Sequence, residues 1–328
     1  MYRFKDENKN KTLGSIRRFP DENAYEITYY GDYAMDEYLK CGAEDINALL
    51  EFERTHLYED FDIRALYPDS HNCSGFTAHN AEGDFLLCHD LDNRLKLPNV
   101  TLAENKVTGK TIGLANTFLW AFWDKYPEYP DVPDEKDIVW ERVLGVPYEM
   151  YDGMNQHGLA VVTFSASGTD VGSFRNKIPL CYFSFRRAIL DRCKTVDEVR
   201  DFLGHYVAAA LDFNSHCQIA DASGKSIIVE YVEGEQVIIP NEKPYQICSN
   251  FLIYNNPEME GFGKDRYLAY REYLDTHDGI VDEETAFRLL HENHIEGDEN
   301  YSVVFNLTKR TAAIQFAPDF AVTHRYQL

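Results

Sequence analysis

A chain of 328 residues, 44% hydrophobic and 14% aromatic, can bury a sizeable core in one large domain or two smaller ones. Its formal net charge of −23 argues against a phosphate-binding surface, hence against nucleic acid, and equally against anionic membrane surfaces. The charged start Met1-Tyr2-Arg3-Phe4-Lys5-Asp6-Glu7 has no apolar h-region, and no stretch approaches the roughly 18 apolar residues of a membrane span, so a cytoplasmic protein is expected.

Residues 1–72 read differently from the remainder of the chain. Ala24 to Tyr30 is a strand closed by Gly31. Met35 to Leu57 carries apolar residues at helical spacing (Met35, Tyr38, Leu39, Ile46, Leu49, Leu50, Phe52), and Gly42 is expected to break it in two. Pro68-Asp69-Ser70-His71-Asn72 is a polar, turn-rich approach to Cys73. The expectation is a small folded appendage on an accessible linker. Cys73 to Ala78 and Phe85 to Leu91 then form two strands around an Asn80 to Asp84 turn, where Gly83 suits positive φ. Pro98 to Gly113 is polar and ambiguous. Ile112 to Trp123 is apolar and aromatic, and Asp124 to Glu141 is an acidic, proline-rich surface loop. The aromatic run could line a pocket, although such rings more often pack a core.

Tyr151 to Gly158 is a turn between strands, and Leu159 to Phe164 is an apolar strand. Ile178 to Cys193 is predicted helical, with Leu180, Phe183, Ile189 and Leu190 facing the core. Thr195 is an N-cap, and Glu198 completes a capping box for a helix that includes Val196, Val199, Phe202 and Leu203. Further strands lie at Cys217 to Ala220, Ser226 to Val232, Gln236 to Ile239 and Tyr245 to Cys248. Helices are predicted at Lys264 to Leu274 and Asp282 to Glu292, and a last hairpin at Tyr301 to Leu307 and Ala312 to Phe316. Paired helices between blocks of antiparallel strands favour an α+β class, stacked sheets with helical outer layers, over a regular βαβ fold.

The chemistry narrows by elimination. Eleven histidines are scattered without HExxH, and His291 and His294 around Glu292 lack the ligand count of a metal site. No GxxxxGKS or GxxxxGKT, no GxGxxG after a strand and no GxSxG elbow occurs, so no cofactor is expected. The seven cysteines (Cys41, Cys73, Cys88, Cys181, Cys193, Cys217, Cys248) are odd in number and irregularly spaced, which disfavours a disulfide framework or a zinc site. Cys73 differs from the rest: it opens a strand directly after an exposed linker. Cysteine attacks only as thiolate and needs a base. Cleavage between Asn72 and Cys73 would free an α-amine titrating near ~7.7–8, placing base and nucleophile in one residue.

These residues carry a resemblance. Cys73-Ser74-Gly75-Phe76 through Gly83 to Leu91-Asp92 resembles the opening of the choloylglycine hydrolase and acyl-coenzyme A:6-aminopenicillanic acid acyltransferase families. These are N-terminal-nucleophile (Ntn) hydrolases of linear amides, related to acid ceramidase. Three further segments match in order. Asp152-Gly153-Met154-Asn155-Gln156-His157-Gly158-Leu159-Ala160-Val161 is similar to a family DGMNEKGLAV turn. Ile219 to Glu230 is similar to its central hairpin. Cys248-Ser249-Asn250-Phe251, followed by Asp265-Arg266-Tyr267, is similar to its LTNxP segment and late arginine. Together they span about residues 73 to 317.

The resemblance implies a four-layer αββα Ntn-hydrolase sandwich of two antiparallel sheets, with residues 1–72 as a propeptide and 73–328 as the catalytic domain. It implies Cys73 as nucleophile, Asp92 as orienter of its freed amine, Asn250 as oxyanion donor and Arg266 as electrostatic support. Ser165 and Asn155 are implied on the substrate or oxyanion side, Ser165 falling where relatives use Asn or Tyr. Relatives carry Arg-Asn-x-Asp where this chain has His89-Asp90-Leu91-Asp92, so His89 replaces a permanent charge with a titratable one. The expected activity is self-cleavage at Asn72-Cys73, then attack on a linear non-peptide amide through a Cys73 thioester. The alternatives are acyl transfer from the same acyl-enzyme, or an uncleaved homologue that only binds. The expected partner is a small-molecule amide or acyl donor, which the Phe118 to Trp123 run would help to hold; a homo-oligomer is left open.

Overall fold

The structure, a computed structural model, describes residues 3–59, 72–93, 97–116, 139–173, 176–209 and 215–328. The linker up to His71 and the aromatic run Phe118 to Trp123 lie outside the described residues. In chain order, α1 (Glu7–Gly14) leads to β1 (Arg17–Arg18) and β2 (Tyr25–Thr28). The expected helix breaks at Gly42 into α2 (Met35–Cys41) and α3 (Ile46–His56). Gly42 holds φ +68°, and Asp45 restarts the helix by accepting from the Ala48 amide at 2.8 Å.

The central hairpin is β3 (Asn72–His79) and β4 (Phe85–Asp92), in register with Cys73 opposite Leu91. Its turn is held by Asn80 Oδ1, which accepts from the amides of Glu82 and Asp84. The polar, ambiguous stretch after it is a second hairpin, β5 (Pro98–Asn105) and β6 (Gly109–Asn116). A 3-10 helix (Trp140–Tyr148) precedes β7 (Asp152–Asn155) and β8 (Ala160–Ser165).

One predicted helix is corrected. Ile178 to Cys181 is strand β9, and α4 begins only at Tyr182 (Tyr182–Arg192). Pro179 has no amide to give a helix, and this short run instead pairs in parallel with β10 (Tyr206–Ala209), a partner distant in sequence. Between them lies α5 (Val196–His205), whose Thr195 cap accepts from the Glu198 amide as predicted. Then come β11 (Ser215–Ala220), β12 (Ser226–Val232), β13 (Glu235–Pro240), β14 (Gln246–Cys248), α6 (Lys264–Thr276), α7 (Glu283–Glu292), β15 (Glu299–Asn306), β16 (Thr311–Phe316) and β17 (His324–Gln327).

Two large sheets result. One runs β1-β2-β5-β6-β7-β8-β11-β12-β13, the other β14-β3-β4-β15-β16-β17. Both are antiparallel except where β2 joins β5 in parallel. They face each other, with β3 against β8; α4 covers β7 and β8, while α6 and α7 cover β3, β4, β14 and β15. This is the expected αββα layering. Strand alternation sorts the hairpin: Cys73, Leu87 and Leu91 enter the inter-sheet core, whereas Phe76 and Cys88 join Tyr270 and Leu290 beneath the outer helices. The N-terminal residues share the inter-sheet core through Tyr38, Leu49 and Tyr58, as well as extending its sheet.

Candidate active site

Cys73 sits at the start of β3, fully buried, where three elements converge. Its main-chain nitrogen donates to Asn250 Oδ1 at 3.1 Å. Asn250 follows β14, the strand paired with β3, which brings it to this strand end. Its Oδ1 also accepts from Arg266 Nη2 at 2.6 Å, and its Nδ2 donates to the main-chain and side-chain oxygens of Ser165, each at 2.9 Å. Arg266 lies in the first turn of α6 and pairs with Asp92 Oδ2 at 3.3 Å. Asp92 ends β4 opposite Asn72. Thus Cys73, Asp92, Ser165, Asn250 and Arg266, picked from four separate segments, form one network around the Asn72–Cys73 peptide.

Asp92 is not alone. Asp90, two residues back on the same face of β4, is also fully buried, and Ser302 Oγ donates to its Oδ1 at 2.6 Å. Asp90 Oδ2 and Asp92 Oδ1 meet no donor group among the described residues, and the two carboxyls interact with each other. Burial, then the Asp92 charge, pushes the Asp90 carboxyl well above the ordinary range, which favours its neutral form. Burial also pushes Asp92 up, to about 6, against the opposing Ile295 amide, Arg266 charge and Asp90 hydrogen bond.

The other side of the strand holds a second polar group. His89 Nε2 meets the Thr163 carbonyl at 2.8 Å, and Nδ1 lies 2.8 Å from Asp152 Oδ2, at ion-pair distance but off the hydrogen-bond line. Asp152 in turn accepts from Tyr301 Oη at 2.7 Å and from the Thr163 amide at 3.1 Å. All of these side chains are fully buried. His89 therefore faces the inter-sheet core and takes no part in the Asn250–Arg266–Asp92 network. Burial, then Asp152 and Asp92, pushes the Cys73 thiol well up, with Arg266 opposing. A thiol so placed in the intact chain stays protonated until a base is supplied.

Asn155 is not brought to this network. Its amide donates to the carbonyls of Leu190 and Cys193, at 3.0 and 2.8 Å, and its Oδ1 accepts from the amides of His157 and Leu159. It fastens the β7–β8 turn to the end of α4. Two residues that matter here were not singled out from sequence. Asp152 opens the matched Asp152-Gly153-Met154-Asn155 segment, and Asp90 shares a strand face with Asp92; both signals were present.

Comparison with known proteins bears on the fold and the family. The structure resembles a mutant of the conjugated bile acid hydrolase from Clostridium perfringens, with TM-score 0.53 and 13% identity over 78% of this chain and 92% of that one. It resembles penicillin V acylase from Agrobacterium tumefaciens with TM-score 0.53 and 15% identity, covering 77% and 84% of the two chains. At such identities the likeness is one of fold, the Ntn-hydrolase sandwich. No curated protein sequence matches the chain. The profile of the acyl-coenzyme A:6-aminopenicillanic acid acyl-transferase family matches residues 143–312, from within the 3-10 helix to the start of β16, a span that contains Asp152, Ser165, Asn250 and Arg266. With more than half of its length inside that match, the chain belongs to the acyl-coenzyme A:6-aminopenicillanic acid acyl-transferase family.

Proposed function

We propose that this protein is a cysteine Ntn hydrolase that cleaves itself between Asn72 and Cys73 and then hydrolyses a linear, non-peptide amide. The observation that carries the reading is the grip on the main-chain nitrogen of Cys73 by Asn250, itself held by Arg266. A structural cysteine has no need of polar side chains converging on its peptide nitrogen. A residue whose nitrogen is to become a catalytic amine does.

In the first step the Cys73 thiol adds to the Asn72 carbonyl carbon, and the peptide nitrogen leaves with a proton, giving a thioester. Water hydrolyses that thioester to the Asn72 carboxylate and restores the thiol. The freed α-amine then takes the thiol proton as sulfur attacks the substrate amide, and returns it to the departing amine. Asp92 orients the amine. The Asn250 carboxamide, exchanging one of its Ser165 hydrogen bonds, donates to the tetrahedral oxyanion, a contribution of about 3 kcal/mol for one such donor. Water then releases the acyl group from Cys73.

Intact mass of the purified protein tests the reading. Two fragments split before Cys73 are expected, with a single full-length chain for Cys73→Ala. A persistent full-length wild-type chain with an inert Cys73 would overturn it. A second reading, acyl transfer, is favoured by the family's own description: an amine takes the place of water at the same thioester. Adding a primary amine to a reaction with an acyl donor separates the two, because only a transferase yields mainly new amide.

A further inference from the structure

Behind Asn250 lies a buried group that the proposed chemistry does not use. His216 on β11 and Glu230 on β12 are fully buried, and the register that sets Cys217 opposite Val229 sets them opposite each other. His216 Nδ1 lies 2.9 Å from Glu230 Oε1, and His216 Nε2 lies 2.7 Å from the Ser249 carbonyl. Both ring nitrogens face oxygen atoms within hydrogen-bond reach, one on a side chain and one on the main chain. Glu230 completes the grip: Oε1 accepts from the Ile253 amide at 2.7 Å and Oε2 from the Tyr254 amide at 2.9 Å.

Cys248 completes what looks like a second nucleophile–histidine–carboxylate row, with its Sγ 3.5 Å from His216 Nε2. It is not one. Burial, then the Glu230 charge, pushes that thiol well up, and Nε2 is already engaged by the Ser249 carbonyl. What the pair does hold is main chain. Ser249 precedes Asn250, and Ile253 and Tyr254 come closely after it, so the pair fastens the segment on both sides of Asn250. Burial alone would push the Glu230 carboxyl up; the His216 hydrogen bond and charge and the two amides bring it below its ordinary value, as expected of a carboxylate committed to these partners.

We propose that the buried His216–Glu230 pair is a positioning clamp that sets the Asn250 carboxamide through the main chain of Ser249, Ile253 and Tyr254. The rate of acylation then depends on two residues that touch neither nucleophile nor substrate. The inference rests on the reading of Asn250 as an oxyanion donor to a Cys73 acyl-enzyme. The pair needs its full geometry, because a donor displaced by a fraction of an ångström loses most of its worth.

The test uses the self-processed enzyme and two probes. The p-nitrophenolate burst from p-nitrophenyl butyrate reports acylation, which needs the oxyanion donor. Alkylation of Cys73 by iodoacetamide, followed by mass, reports the nucleophile alone, because that displacement forms no oxyanion. Glu230→Gln keeps the shape and loses the ion pair; His216→Gln is the second variant should the first fold poorly. The expected result is a burst rate and kcat at least tenfold lower, KM within about twofold, and an unchanged alkylation rate. In an Asn250→Ala background Glu230→Gln should add little further loss, because both act through one carboxamide. An unchanged burst in a folded variant would overturn the clamp. So would parallel loss of burst and alkylation, or full additivity with Asn250→Ala. Failure of the underlying reading shows separately, as a wild-type Cys73 that neither acylates nor alkylates.

Discussion

At the scale of single residues, the site departs from its relatives' Arg-Asn-x-Asp pattern at two positions. Asp90 stands in the asparagine position, and in its neutral form, which burial favours, it can donate to Asp92 as an amide would. In the proposed mechanism Asp92 accepts from the freed amine as an ionised carboxylate, and its carboxyl is raised to about 6, so turnover should rise with pH through an acid limb near that value. Asp90→Asn keeps a donor and should leave the limb in place. Asp90→Ala removes the hydrogen bond that lowers Asp92 and should move the limb to higher pH, as read from kcat against pH. His89 replaces the arginine. It is fully buried against Asp152, so His89→Ala opens a cavity beside that carboxylate, which keeps the Tyr301 hydroxyl and the Thr163 amide. A loss of about 3 kcal/mol is expected in denaturant unfolding, as for other large side chains truncated in a core.

At the scale of elements, α6 is where backbone conformation reaches the chemistry. Gly263 caps its start at φ +79°, and a Cβ there would strike Ser249 Oγ and come within 2.7 Å of Arg266 Nη2. Gly263→Ala should therefore strain the turn and push Arg266 off Asn250; at least a tenfold fall in kcat is expected, checked by burst kinetics. The hairpin β3–β4, the capped helices and the order of the site segments were legible in the sequence because each rests on local pattern: alternation, a capping residue, a turn. The β5–β6 hairpin was not, because Asn99, Thr101, Thr108 and Thr111 are buried polar residues that blur alternation. The β9 strand was hidden for another reason. Its apolar run flows straight into α4, and its partner β10 lies two helices away. His216 and Glu230 could have been found by counting outward from the Asp221-Ala222-Ser223-Gly224 turn, which sets them face to face, although nothing local shows that they hold Asn250.

At the scale of the whole molecule, the N-terminal segment is docked through a buried acidic pair. Glu53 on α3 is fully buried and its carboxylate oxygens meet no hydrogen-bond donor among the described residues. Burial, then the Glu149 charge, pushes it well up, with Arg142 opposing; burial likewise raises Glu149, to about 7. Carboxyls raised on folding stabilise fully below their unfolded value of about 4.3 and lose that contribution as pH climbs through the raised values. Docking of residues 1–72 on the cleaved protein should thus be tightest in acid and loosen above about pH 7. Size-exclusion chromatography of processed protein at pH 5.5 and 8.5 checks this, and Glu53→Gln should flatten the difference.

The parallel pairing of Tyr25–Thr28 with Asn99–Leu102 has a practical consequence. The strand β2 shields the flank of β5, and the far end of the other sheet is tied to the same segment by Tyr326 Oη on Glu26 at 2.8 Å and His324 on Glu22 at 2.7 Å. A recombinant chain begun at Cys73 would present β5 as a bare edge, with unsatisfied amides and carbonyls open to any passing strand. Such a chain would be prone to aggregate even with every catalytic group in place. The proposed self-cleavage avoids this, because the first residues close the sheet before the cut.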